Sequence, residues 1–409
     1  MPETERCREL DGIRGFAVMG IGFMNVFFFS MPGAAYYNPR VWGGTGMTDL
    51  VLWALSFVFI EDKMRGLFLA LFGAGAMLAM ERAGANGAVR AHVSRMAWLL
   101  MFGLFHGILV AANDVLRLYA VTGLLLPLFR RSSPGNLMLW IALLAAIHMA
   151  ALGYVGVNWL NAYAYAYVKA HPAEARLLAV PERMFGSDPD MIEAQLALYR
   201  GEYWPLLARR LTNFSAPLLG LLAYLPITLA GMLTGVVMLR TGFLTGTWSR
   251  ARYHRWALGG FVLGGVPLAL LACWAFASGF AAIIVGANAL VWSTPFDMVM
   301  VLGWVAALIL LIQRIAHRAW YERIAAVGRA SLTNYLGTSL LFGFAFYGWG
   351  LGLYGRIGRA EAYVFPLLAA LLAMLWSKPW LATHYHGPLE RLWRLLARPH
   401  FRPIDDRAA

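Results

Sequence analysis

Cysteine and charge are what this chain has least of. Cys7 and Cys273 are the only cysteines in 409 residues, which supports neither a disulfide framework nor a thiolate metal site. No GxSxG, HExxH, paired CxxC or Walker string occurs, and the glycine run GWGLGLYG at 348–355 reads as an outward turn rather than a dinucleotide fingerprint, so serine-hydrolase and metal-centre chemistry have no footing. Charged residues are 13 % of the chain, against about 25 % in soluble domains. The same figures exclude disorder and coiled coil.

What is abundant is apolar surface: 60 % of residues are hydrophobic and the mean hydropathy is +0.61. A soluble globule of this length could not hide so much of it. The expected fold is therefore an all-α integral membrane protein, a polytopic bundle. A bilayer core of ~30 Å needs about 20 apolar residues per helix, and about ten transmembrane helices are expected on that basis. They cover 12–31, 66–80, 95–111, 114–129, 136–157, 216–239, 256–276, 295–313, 325–346 and 360–377. The first run is followed by Gly33, Ala34 and Ala35 but is long for the core of a signal peptide.

The net charge of +13 would suggest a polyanion partner in a soluble chain. Here the basic residues gather in short clusters between apolar runs, as the loops that orient a membrane protein do. Arg82, Arg90, Arg95, Arg130, Arg131, Arg240, Arg250, Arg314 and Arg318 then all face the cytoplasm, as do both termini, and no nucleic-acid partner is implied. Two full spans within 47–82 would put Arg82, Arg90 and Arg95 on the wrong side. Residues 47–65 are therefore expected to form an interfacial or re-entrant helix. The chain divides into an N-terminal helix group (10–157), an extracytoplasmic insertion (158–215), a C-terminal helix group (216–395) and a cytoplasmic tail (396–409). The lipid bilayer is the partner these numbers require, and a homo-oligomer is compatible with them.

Ionisable groups inside spans cost about 2.5–3.5 kcal/mol each on insertion scales and mark functional sites by default. His106 lies near the outer end of its span with Asp114 two turns further on, so both can face one outward cavity. A carboxylate beside an imidazole fixes its tautomer and raises its basicity, as a general base, a proton relay or a helix–helix hydrogen bond requires. His148 has no carboxylate at helical spacing and reads as a packing histidine. Asn25 is a polar amide in the outer half of the first span, placed to orient a base or to bond a neighbouring helix. Asp49 either caps a helix or faces the same outer cavity. Glu61, Asp62, Lys63 and Arg65 read as a solvated loop, although apolar sequence presses closely on both sides. Arg14 shares a helix face with Asp11 and sits where it can snorkel or bind a phosphate-bearing ligand. Ser331, Thr333 and Asn334 lie at the inner end of a later helix. The small-residue run Gly73–Ala76 points to close helix packing.

The strings LDGIRGFAVMGIGFMN, KMRGLFLALFGAG, GLFHGILVAANDVLRLYAVTGLLL and GRASLTNYLGTSLLFGFAFYGWGLGLYGRIGR, with GPLERLWR, resemble the YeiB-like family (domain of unknown function 418). These blocks run in order from Leu10 to Arg394. The family is similar to the transmembrane acyltransferase group that includes heparan-α-glucosaminide N-acetyltransferase. That resemblance implies acetyl-CoA taken on the cytoplasmic side and an acceptor acylated on the other. The matching positions are Asp11, Arg14, Asn25 and Asp49. The relatives' catalytic histidine falls between the last two, where this chain has Tyr36, Tyr37 and Asn38. Either His106 supplies the base or this branch does not perform that reaction.

Two functional readings follow. In the first, an acyltransferase of the bacterial cytoplasmic (inner) membrane uses His106 as general base, oriented by Asp114 and assisted by Asn25. Arg14, with Ser331 and Asn334, holds acetyl-CoA or another acyl-CoA, no metal is involved, and Asp49 and Arg65 meet a small-molecule or glycan acceptor. In the second, the chain transports a small organic molecule. A non-catalytic membrane protein is the third possibility.

Overall fold

A computed structural model describes residues 8–44, 46–82, 87–112, 114–168, 171–213 and 215–397. Cys7 and most of the expected tail lie outside the described residues. Every regular element among those described is helical, and eight helices are long and apolar enough to cross a bilayer. They are α1 (Arg8–Ser30), the broken pair α2 (Met47–Phe59) and α3 (Lys63–Arg82), α4 (Ala88–Leu109), α6 (Pro134–Tyr163), α9 (Ser215–Arg240), α10 (Arg250–Ala277), α11 (Thr294–Ile315) and α14 (Arg359–Thr383). Two of the ten expected spans are shorter. Residues 114–129 form only α5 (Leu116–Gly123) and a 3-10 turn holding Pro127, because proline cannot continue an α-helix interior. The span expected over 325–346 is divided at Ala330 into α12 (Tyr321–Arg329) and α13 (Ser331–Phe346).

Arg8, Arg95, Arg130 and Arg240 share one end of the molecule. Arg240, the last residue of α9, donates to the carbonyls of Ser132 (2.5 Å) and Arg130 (2.7 Å) and pairs with Glu81 at 3.1 Å. Arg8 pairs with Glu322. At the same end the short helix α15 (Pro388–Leu396) is docked twice. Glu390 accepts the Leu332 and Thr333 backbone amides, and Trp393 donates to the Arg95 carbonyl at 2.9 Å. Ser133 and Ser249 cap α6 and α10 here, each accepting an amide three residues on, which satisfies donors a helix start otherwise leaves open. The insertion, with α7 (Pro189–Arg200) and α8 (Tyr203–Thr212), covers the opposite end. There Arg200 donates to the Tyr354 and Gly355 carbonyls and Tyr203 to that of Leu109.

The segment expected to form an interfacial or re-entrant helix is α2, set off from α3 by a break at 60–62. The Ser56 carbonyl accepts both the Ile60 and Glu61 amides, and Asp62 adopts φ 57, a left-handed conformation that aspartate tolerates better than most residues. α2 stays at the opposite end, where Trp53 donates to the Tyr37 carbonyl and Asp49 accepts the Ala360 amide. From the break, α3 runs toward the basic end against α9. A Cβ on Gly73 would lie 2.2 Å from the Met232 carbonyl oxygen and one on Gly235 1.8 Å from that of Ala70. Only glycine permits this approach, the close packing expected of the small-residue run.

Candidate functional site: a closed histidine–aspartate pair and an open cavity

His106 occupies the last turn of α4. The chain then reverses, with the Val110 and Ala111 amides closing onto the His106 carbonyl, so Asp114 returns from the far side of a turn rather than from the same helix. Its Oδ1 accepts from His106 Nδ1 at 2.8 Å, and its Oδ2 accepts the Arg117 amide at 2.9 Å, capping the start of α5. Arg117 Nε stands 3.6 Å from the same oxygen. All three residues are buried. A carboxylate only accepts hydrogen bonds, so Nδ1 carries the imidazole proton and Nε2 the lone pair. Nε2 is buried without a partner among the described residues. The Tyr335 ring of α13 lies 5.4 Å from the imidazole, centroid to centroid.

A second polar group opens onto a cavity of about 900 Å³. Its floor is Asp62 of the break with Arg65 and Leu69 of α3, one wall is α6 and α9, and the other is α10 and α11. Asp62 pairs with Arg65 at 2.8 Å, and Lys63 pairs with Asp297 of α11 at 2.7 Å while also donating to the Phe57 carbonyl. Lys63 and Asp297 are sealed from solvent. Such a pair survives burial only when both charges keep close partners. Tyr119 of α5 reaches the Arg65 carbonyl at 3.3 Å and stands in the cavity wall. α5 thus joins the two groups.

The sequence placed some residues here and missed others. Glu61, Asp62, Lys63 and Arg65, read together as a solvated loop, are not one: Glu61 and Lys63 are buried, and Asp62 and Arg65 line the cavity. Apolar sequence on both sides was their signal. Asp297 and Tyr224 of the cavity wall carried no pattern that separated them from an ordinary helix start or core tyrosine. His148, read as a packing residue, also lines the cavity. Its Nδ1 lies 3.1 Å from the Ala223 carbonyl, which makes Nδ1 the donor and leaves the lone pair on Nε2.

The remaining candidates are dispersed. Asn25 is half-buried on α1 and is not among the hydrogen-bond partners of His106 or Asp114. Of the two readings of Asp49, the structure shows the cap: its carboxylate takes the Ala360 amide at 3.1 Å, at the start of α14. Arg14 lies 3.6 Å from Asp11 and beside Gly75 of α3, whereas Ser331 opens α13. Asn334 is fully engaged: its amide nitrogen donates to the Val327 carbonyl and Ser377 Oγ, both at 3.1 Å. Its oxygen accepts from Trp376 at 2.9 Å.

The family profile described as "Protein of unknown function (DUF418)" matches residues 238–399, from the end of α9 through α15. The chain is 30 % identical over 410 residues to the uncharacterized protein YeiB of Escherichia coli (strain K12), covering 96 % of each. It is 27 % identical over 423 residues to the uncharacterized protein YxaH of Bacillus subtilis (strain 168), covering 98 % of this chain and 96 % of the relative. These matches take in both polar groups as well as the C-terminal helices, and the chain belongs to the YeiB-like DUF418 family.

Proposed function

We propose that this multi-pass protein is an acyltransferase of the bacterial cytoplasmic membrane, taking an acyl group from acyl-CoA on its arginine-rich side and passing it to a hydroxyl or amine acceptor. The observation that carries the reading is the His106–Asp114 pair: one nitrogen is held by a carboxylate and the other is unpartnered, the arrangement a general base needs. The acceptor oxygen or nitrogen attacks the thioester carbonyl and its proton passes to His106 Nε2. The C–S bond then breaks, and the departing sulfur takes the proton back from the imidazolium. Because Nε2 is sealed in this structure, substrate reaches it by displacement of neighbouring side chains, Tyr335 among them. The arginines of the basic end suit a donor that carries phosphates, and the excess of positive charge assigns that end to the cytoplasm.

The test is transfer of label from acyl-labelled acetyl-CoA or palmitoyl-CoA in inverted membrane vesicles containing the protein. Label appears in a CoA-free product with the wild type, and His106→Asn abolishes it. Label transfer unaffected by His106→Asn, or absent with both donors, overturns the reading. One observation favours a transporter instead: α2 and α3 are broken mid-course beside charged groups and a cavity, as in carriers whose discontinuous helices form the binding site. Proton-dependent solute uptake into vesicles with CoA thioesters inert is the result that reading requires.

A further inference from the structure

The cavity has a shape and chemistry of its own. On the α9 wall its lining runs from Tyr224 to Thr241, 17 residues or about 26 Å at 1.5 Å per residue. One leaflet of a bilayer is about 15 Å of hydrocarbon, half the ~30 Å core. The cavity is therefore longer than a membrane acyl chain.

Charged side chains are confined to its two ends. At one end stand Asp62, Arg65, Tyr224 and His148; at the other, Arg252 lies 3.3 Å from the Trp248 ring centroid. The rest of the lining is mainly Leu, Ile, Met, Val and Ala, with Thr228 and Thr234 of α9, Thr241 just past its end and Thr294 opening α11. The Thr234 and Thr241 hydroxyls are committed to the Ala230 and Val237 carbonyls of α9, each at 2.9 Å. An occupant carrying amides along its length would bury them with few side-chain partners, Thr228 and Thr294 among them, at about 1–3 kcal/mol for each group left unsatisfied. A hydrocarbon chain incurs no such cost.

The opening faces the bilayer. Met138 on α6 and Trp256 on α10 both line the cavity, and they are 56 % and 42 % exposed. Around Met138, α6 presents Leu139, Leu143 and Ile147 outward, a face that belongs against lipid.

We infer that the cavity takes the hydrocarbon chain of a membrane lipid, entering sideways between α6 and α10, with the lipid's polar head at the Asp62–Arg65 pair. His148 Nε2 and the Tyr224 hydroxyl are the groups that meet a head hydroxyl or phosphate there. This deepens the acyltransferase reading and rests on it in one respect: it makes the acceptor a lipid rather than a free sugar. The pantetheine arm of the donor, with its amides, is excluded from the shaft on the same ground.

The experiment is native mass spectrometry of the full chain released from nanodiscs of palmitoyl-oleoyl phosphatidylglycerol and phosphatidylethanolamine. Ala142→Trp and Ala145→Trp each place an indole in the α6 wall of the cavity, while Ala146→Trp, on the lipid-facing side of α6, is the control. One lipid is retained by the wild type and Ala146→Trp at energies that strip annular lipid, and it is lost from both wall variants while they keep the wild-type Tm. Retention by the wall variants, or no retained lipid in the wild type, overturns the inference. The acyltransferase reading is judged separately by label transfer. Transfer to a water-soluble acceptor with no lipid retained leaves that reading and removes this one. A retained lipid without transfer does the reverse.

Discussion

The His106–Asp114–Arg117 group and the Asp62–Arg65–Lys63–Asp297 group are both charge clusters inside an apolar bundle, yet they differ: the first is buried throughout, whereas the Asp62 and Arg65 side chains of the second keep 26 % and 35 % exposure. In the first, the Asp114 carboxylate holds both His106 Nδ1 and the Arg117 amide and Arg117 reaches the Ala112 carbonyl, while His106 Nε2 and Arg117 Nε are buried without a hydrogen-bond partner among the described residues. In the second, the Asp62–Arg65 pair borders about 900 Å³ of open volume. A charge cluster closed off from free volume is held in place; one that borders free volume is open to a ligand. The first supplies pre-organised chemistry and the second supplies space, and α5 connects them through Asp114 and Tyr119.

The largest effect is expected at the Lys63–Asp297 pair. Replacing one partner by an apolar residue, as in Lys63→Met, strands a buried charge and is expected to cost ~3–5 kcal/mol. The Lys63→Met, Asp297→Leu double variant recovers most of that. Thermal unfolding in detergent reads both; a mild single variant would return this cluster to the status of a hydrated loop. Next is Gly235→Val, which removes the close approach of α3 and α9 that fixes the cavity floor. Overpacking there should cost ~1–3 kcal/mol and abolish lipid retention as well as lower Tm. Asp114→Asn keeps the shape of the closed group but removes its charge, leaving Arg117 with a weaker partner. A loss of ~1–3 kcal/mol is expected, with lipid retention unchanged, since the cavity is untouched. The smallest effect belongs to Arg252→Ala, which removes a cation stacked on Trp248 for about 0.5–1 kcal/mol. It shifts intrinsic tryptophan emission without disturbing the His106 pair.

Much of the architecture was legible because hydropathy and arginine placement act along the chain. The apolar runs became helices, and Arg8, Arg130 and Arg240 came to one end as the charge rule requires. The meeting of His106 with Asp114 was legible too, though by a chain reversal rather than a continuous helix. Asn25 and Asn334 were not, because whether a side-chain amide is free or engaged depends on which helices lie next to it. The interior position of Lys63 depended on Asp297, more than two hundred residues away, and no local pattern carries such a pairing. The GAGA run was readable because small residues on a helix have few reasons other than close contact.

A thermal-shift titration of the purified protein with acetyl-CoA and palmitoyl-CoA, on the wild type, Arg14→Ala and His106→Ala, tests the central claim that a donor binds at the basic end while His106 acts elsewhere. A ligand bound only by the folded state stabilises it by about 2.7 kcal/mol at a hundredfold excess over its Kd. The account predicts that this stabilisation appears in the wild type, is retained in His106→Ala and is lost in Arg14→Ala. No shift with either thioester at millimolar concentration would contradict it.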